Sequence, residues 1–225
     1  MPVIIPEHAI DVNTVLDMAR PADDDDRERL LELADIAMRY PGSAVYEVRT
    51  IDMIGEDKVA IGGGASAVFQ SKPLSRLFST DMTVYPYVAT CGPGMAGYAD
   101  KLTDPLECFW WDMIMQNAVG AARRALFDEV GRIAGYTPVS ANPGSIESWP
   151  ISNQPALFSL IGDVEQMIGV KIAPSFLMIP LKSISGIMFR SEGGFTHNCS
   201  LCDRKDCQGR NAPFDAKLKA ELEGA

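Results

Sequence analysis

Residues 105–133 carry the longest run of helical spacing in the chain, with Leu106, Phe109, Trp110, Met113, Ala121, Ala125 and Val130 recurring at a helical period. The aromatic and methionine stripe reads as core rather than as a cofactor box, with Cys108 inside it as a buried apolar filler. Stretches rich in β-formers lie on both sides. Before the helix, residues 83–90 form a strand that ends in Cys91-Gly92-Pro93-Gly94, a turn that opens a helix over 95–101. After it, 176–180 and 185–189 read as a strand pair joined through Leu181-Lys182-Ser183-Ile184. Strands at both ends with helices between them imply an α+β fold.

The remaining elements follow from caps and breakers. Residues 3–5 read as a short strand, and Asp11 to Thr14 supply caps for a helix reaching Arg20, which Pro21 ends. The acidic run 23–26 reads as the start of a second helix, because carboxylates favour the positive end of the helix dipole. Residues 44–51 alternate like one strand and 58–61 like another, and Gly62-Gly63-Gly64 reads as a flexible turn without the pattern of a phosphate loop. A short helix is expected around Leu74, Leu77 and Phe78, and residues 135–155 form a long loop. A single helix over 154–168 and an edge strand over 170–172 complete the reading.

The 225 residues are 47% apolar and 22% charged, as expected of a folded globular chain. The net charge of -10 argues against a general nucleic-acid binder, and residues 1–60, with 6 basic and 14 acidic side chains, hold most of the excess. The opening MPVIIPEHAI lacks the basic start of a secretory signal, and no apolar run reaches the length of a membrane span, so the expected setting is cytoplasmic. Only His8 and His197 are present, which gives no support to a hydrolytic triad or a two-histidine metal oxygenase.

Of the five cysteines, Cys199, Cys202 and Cys207 cluster as C-x2-C-x4-C, a spacing that suggests metal ligation more than disulfides. Arg204, Lys205 and Arg210 would lower the thiol pKa values and offset the charge of a cluster. A zinc ion and an iron–sulfur cluster both fit. His197 is the local choice for a fourth ligand and Cys91 the distant one.

Asn142-Pro143-Gly144-Ser145, Trp149-Pro150, Gln154, Leu157-Phe158-Ser159-Leu160, Gly169-Val170, Ser175 to Pro180 and Lys182-Ser183-Ile184-Ser185-Gly186 resemble the activation domain of cobalamin-dependent methionine synthase. The resemblance is closer still to free-standing relatives in anaerobic corrinoid methyltransferase systems. Ala89 to Gly94 and the long helix fit the same order, so the likeness covers most of 1–190, and 191–225 is expected to be a cysteine-rich extension.

The resemblance implies a twisted antiparallel sheet with flanking helices that binds S-adenosylmethionine and docks over a corrinoid held by a methyltransferase partner. Asn142, Pro143, Gly144, Ser145, Lys182, Ser183 and Ser185 are the residues it points to for the ligand. Where the family carries an Arg three residues before the Pro, this chain has Ser140, and where it carries a Tyr, this chain has Ser145. Backbone groups over 142–145 are then the expected ligand contacts. The implied role is reactivation of Co(II) corrinoid by reduction, by methylation from S-adenosylmethionine, or by both. The alternative is a non-catalytic corrinoid-protein binding module with a structural zinc site.

Overall fold

The computed structural model describes residues 2–62, 66–192, 194–207 and 210–224. Gly63 and Gly64 of the expected glycine turn, and Gln208 and Gly209 beside the cysteines, lie outside the described residues. The framework is an eight-stranded antiparallel sheet with helices on both faces, so the α+β expectation holds.

At the centre is β6 (Thr83–Thr90). On one side it pairs with β2 (Ser43–Tyr46) and β3 (Arg49–Ile54), and on the other with β10 (Ser183–Phe189). β2 continues outward to β1 (Val3–Ile4), while β3 leads to β4 (Lys58–Ile61) and then β5 (Ala67–Gln70). The stretch read as one strand over 44–51 is thus two strands on the same edge of β6. Pro86 in β6 explains the break: its carbonyl accepts from Glu47 N–H at 3.1 Å, but it has no N–H to return the bond.

The strand pair expected between 176–180 and 185–189 does not form. β9 (Met178–Ile179) pairs with β8 (Lys171–Ile172) in a separate small hairpin, while β10 inserts between β6 and β7 (Val139–Ala141). β7 lies inside the segment read as loop. Its three residues carry too little alternation to stand out.

Helix ends are set by short-range chemistry. Asp11 caps α1 (Val12–Ala19) by accepting from Thr14 N–H, and Asp23 caps α2 (Asp24–Ala37) by accepting from Asp26 N–H. Ser71 starts α3 (Lys72–Leu77), and Gly92, at φ 87°, turns the chain from β6 into α4 (Pro93–Ala99). The long α5 (Pro105–Ala134) begins on the Asp104 cap with Pro in its first turn and ends at Gly135, whose φ of 74° suits a left-handed stop. Its 30 residues span about 45 Å. The single helix expected over 154–168 is divided into α6 (Gln154–Ile161) and α7 (Val164–Ile168), because Gly162 at φ 117° leaves the helical region and Asp163 caps a new start.

α5 lies across one face of the sheet. Ala122, Leu126 and Val130 pack on Ala44, Tyr46, Tyr87, Ala89 and Met188. α7 covers the opposite face at Val45 and Val88, as the alternation of β2 and β6 requires. Near its start α5 turns Trp110, Trp111 and Ile114 toward α1, α2 and α4. Leu106, Phe109 and Cys108 are exposed, so the reading of Cys108 as buried filler is overturned: the helix turns that face to solvent.

The residues after 190 join the main core. Phe195, Leu201, Leu218 and Leu222, the last two on α8 (Ala216–Glu223), pack in the same cluster as Phe69, Trp149 and Phe189. This packing brings the cysteine segment back against the sheet.

Candidate functional site

A cavity of about 850 Å³ opens where the end of β7, the start of β10, the middle of α5 and the cysteine segment meet. Asn142, Pro143, Gly144 and Ser145 line it from the loop after β7, and Lys182, Ser183 and Ser185 line it from β10, so all the residues singled out for ligand binding surround one space. α5 contributes Gln116, Val119, Gly120 and Arg123, which share one helical face. Leu177, Met178 and Leu181 form an apolar rim from the β8–β9 hairpin. His197, Asn198, Cys199 and Cys202 close the remaining wall.

The turn at 142–145 has Pro at its second position and Gly144, at φ 80°, at its third, the arrangement a type II turn demands. Ser145 N–H donates to the Asn142 carbonyl at 3.1 Å and Gly144 N–H to the Trp149 carbonyl at 2.7 Å. Both amides are committed inside the turn. The expectation that backbone groups here contact a ligand therefore loses two of its donors.

Beneath the turn lies a buried polar network. Asn142 donates through Nδ2 to Tyr87 Oη at 2.9 Å and to the Ser185 carbonyl at 2.6 Å. Its Oδ1 accepts from Ser140 Oγ at 3.0 Å and from Asn198 Nδ2. All four hydrogen-bonding positions of the amide are used. Because Ser140 spends its proton on Asn142, the 3.1 Å contact between Tyr87 and Ser140 has Tyr87 as donor, which closes a ring of three mutually polarising bonds. Ser140 is thus a structural partner of Tyr87 and Asn142, and Asn142 is a hub rather than a free ligand contact. The β10–β7 register, continued by two residues, would set Pro143 opposite Ser185. Proline has no N–H to offer there, and the Asn142 amide supplies one.

The other β10 residues are similarly anchored. Ser185 Oγ donates to Gln154 Oε1 at 2.8 Å, joining the strand to the start of α6. Ser183 Oγ lies 2.8 Å from Thr90 Oγ1 and 2.7 Å from the Pro180 carbonyl. Lys182 pairs with Asp112 of α5 at 2.8 Å on the outer edge.

Two buried polar atoms in this wall are left without partners among the described residues: Arg123 Nε and Asn198 Oδ1. The orientation of Asn198 follows from the network. Asn142 must present Oδ1, since its Nδ2 meets a carbonyl, so Asn198 must answer with Nδ2 and leaves its own oxygen free. His197 Nδ1 accepts from Cys199 N–H at 3.1 Å, which places the proton of the neutral ring on Nε2. Burial pushes the His197 pKa below its usual value, and the Arg123 charge pushes it the same way. Sequence reading missed Arg123 and Asn198. For Arg123 a signal was present, since Gln116, Val119, Gly120 and Arg123 follow the helical spacing of one face.

Cys199 and Cys202 are half-buried, and Asn211 N–H points at Cys199 Sγ from 3.5 Å. Arg210 is engaged by the backbone of the cysteine segment. Its guanidinium donates to the carbonyls of Cys199, Cys202, Ala212 and Arg204, tying the segment into a compact loop. Cys207 does not line the cavity, and among the described residues no three His, Cys, Asp or Glu side chains come together to hold a metal ion. Cys91, the distant fourth-ligand candidate, is fully buried beside Met95 and Trp111 and does not line the cavity; burial pushes its thiol up to about 11. A metal ligand is the thiolate, which this setting disfavours.

No helix among the described residues is long and apolar enough to cross a membrane. No family model matches the chain. No curated protein matches it either. Among solved structures it is similar to a crystal structure of the MetH reactivation domain bound to AdoHcy, with a TM-score of 0.58 and 14% identity over 88% of this chain and 81% of that one. The architecture built here from β6, its neighbours and α5 is therefore the fold of the activation domain that the motifs resemble.

Proposed function

We propose that this chain binds an S-adenosyl amino acid in the 142–145/182–185 cavity and docks on a corrinoid-carrying methyltransferase, returning its cobalt from Co(II) to the methylated state. The observation that carries the reading is the gathering of all seven residues singled out for the ligand around one cavity, in a fold shared with a domain solved with AdoHcy. A volume of about 850 Å³ lies within the range of small-molecule sites. Unpartnered polar atoms on one wall and apolar side chains on the rim suit a ligand with one polar and one apolar end.

One electron from an external reductant converts the partner's Co(II) to Co(I). Co(I) attacks the methyl carbon of S-adenosylmethionine, and the carbon–sulfur bond breaks with its electron pair remaining on sulfur. Methyl-Co(III) and neutral S-adenosylhomocysteine result. This chain's contribution is positioning and exclusion of water. The Asn142 network fixes the relation of β10, α6 and the cysteine segment, and Leu177 and Leu181 offer an exposed apolar rim on which a flat macrocycle can rest.

The tail thiols enter the proposal as a metal site, either zinc or an iron–sulfur cluster. Support comes from the C-x2-C-x4-C spacing and from the Asn211 amide directed at a sulfur atom. Metal binding requires Cys207 to be drawn toward Cys199 and Cys202.

Two measurements test the reading. Calorimetry with S-adenosylhomocysteine is expected to give saturable heat. A Co(II) corrinoid protein mixed with this chain, S-adenosylmethionine and a low-potential reductant is expected to develop the methyl-cobalt spectrum. No heat and an unchanged cobalt spectrum reject the proposal; binding to the corrinoid protein without methylation favours the non-catalytic module. Iron, sulfide and zinc analysis of anaerobically prepared protein, with Cys202→Ser as comparison, tests the metal site, and metal-free protein rejects it.

A further inference from the structure

We propose that Arg123 and Asn198 hold the α-amino-acid end of the ligand, Arg123 taking its carboxylate and Asn198 Oδ1 its ammonium. The inference deepens the functional reading above and rests on it. Arg123 and Asn198 both line the cavity, and each carries a buried polar atom that no described residue satisfies: the Nε–H donor of a guanidinium and the Oδ1 acceptor of an amide. Unpaired buried polar groups are costly, and when they line a cavity, a ligand is the natural partner.

Arg123 is built to receive an anion. Its guanidinium stacks on Phe127, with 4.1 Å from Cζ to the ring centroid, and Phe127 in turn meets Tyr87 edge-on at 5.8 Å. The stacking holds the planar fork without consuming its N–H edges. Among the described residues Arg123 makes no ion pair, whereas Lys182, the other cation of the cavity wall, is already matched by Asp112. A carboxylate therefore has one unmatched partner here.

Asn198 is 8% exposed and locked by its bond to Asn142, so its oxygen is presented in a fixed position. An ammonium supplies the N–H donors that Asn198 Oδ1 lacks. A carboxylate and an ammonium on one carbon define an α-amino acid.

The test compares S-adenosylhomocysteine with 5′-methylthioadenosine, which keeps the nucleoside and thioether but lacks the amino-acid end. Both are titrated into the full chain and into Arg123→Met, Arg123→Lys and Asn198→Ala. Arg123→Met is expected to weaken S-adenosylhomocysteine about 10- to 100-fold while leaving 5′-methylthioadenosine within about twofold, as loss of a charge-assisted bond requires. Arg123→Lys should restore part of the loss, and Asn198→Ala should show the same ligand selectivity. Equal weakening of both ligands, or none, overturns the inference while the functional reading stands. If the unaltered chain binds neither ligand, the reading of the site falls and the inference falls with it.

Discussion

Replacing Asn142 by Ala removes the amide that joins β7, β10 and the cysteine segment. Four hydrogen bonds disappear, yet their loss is uneven. Tyr87 and Ser140 lie 3.1 Å apart and keep each other as partners. The Ser185 carbonyl and the Asn198 Nδ2 group lose theirs in a buried setting, where Asn142 itself is 7% exposed and Asn198 is 8% exposed. Each orphaned group costs about 1–3 kcal/mol, so the expected destabilisation is about 2–6 kcal/mol. Urea unfolding followed by tryptophan emission measures it. With a slope of about 2 kcal/mol/M, the midpoint should fall by about 1–3 M. Ser145→Ala is the control: this residue is exposed and its amide stays in the turn, so the change should stay within about 0.5 kcal/mol. A midpoint for Asn142→Ala no lower than that of Ser145→Ala would refute the hub argument and with it the fixed orientation of Asn198.

Gly186→Ala should destabilise by about 1–3 kcal/mol, because a Cβ there would stand 2.4 Å from Asn142 Nδ2 and 2.5 Å from the Ala141 carbonyl oxygen, and the backbone atom cannot yield. A melting temperature equal to that of the unaltered chain would contradict this. Alkaline stability should depend on Tyr136, whose phenol is pushed up to about 12 by burial and by its neighbour Tyr85. The unfolded phenol ionises near 10 and the folded one higher, so the stabilising contribution is intact below about pH 10 and is lost as pH rises toward 12. Urea midpoints measured from pH 8 to 11 should fall more steeply for the unaltered chain than for Tyr136→Phe, and parallel profiles would exclude the effect.

Much of the local structure was readable residue by residue. Asp11, Asp23 and the Pro105 to Gly135 bracket announce helix ends, because a cap or a positive φ is a transaction between neighbours in sequence. The same holds for the turn at 142–145, where Pro143 and Gly144 prescribe the backbone. Motif resemblance also picked out residues of β10 and of the β7 loop that do surround one cavity. Pairing was not readable in this way. Nothing between 176 and 189 says that β9 turns to β8 while β10 slips between β6 and β7, since an apolar strand is satisfied by any compatible edge and long-range register is chosen by the whole sheet. Cys108 and Trp111 sit on the same helix, yet one faces solvent and the other is enclosed, because α1, α2 and α4 cover only part of its circumference. Arg123 and Asn198 are 75 positions apart, and their complementarity exists only once α5 and the tail close on the same space. Caps and turns are governed by atoms a few bonds away, whereas sites are made by chain closure, and closure depends on which buried surfaces find one another.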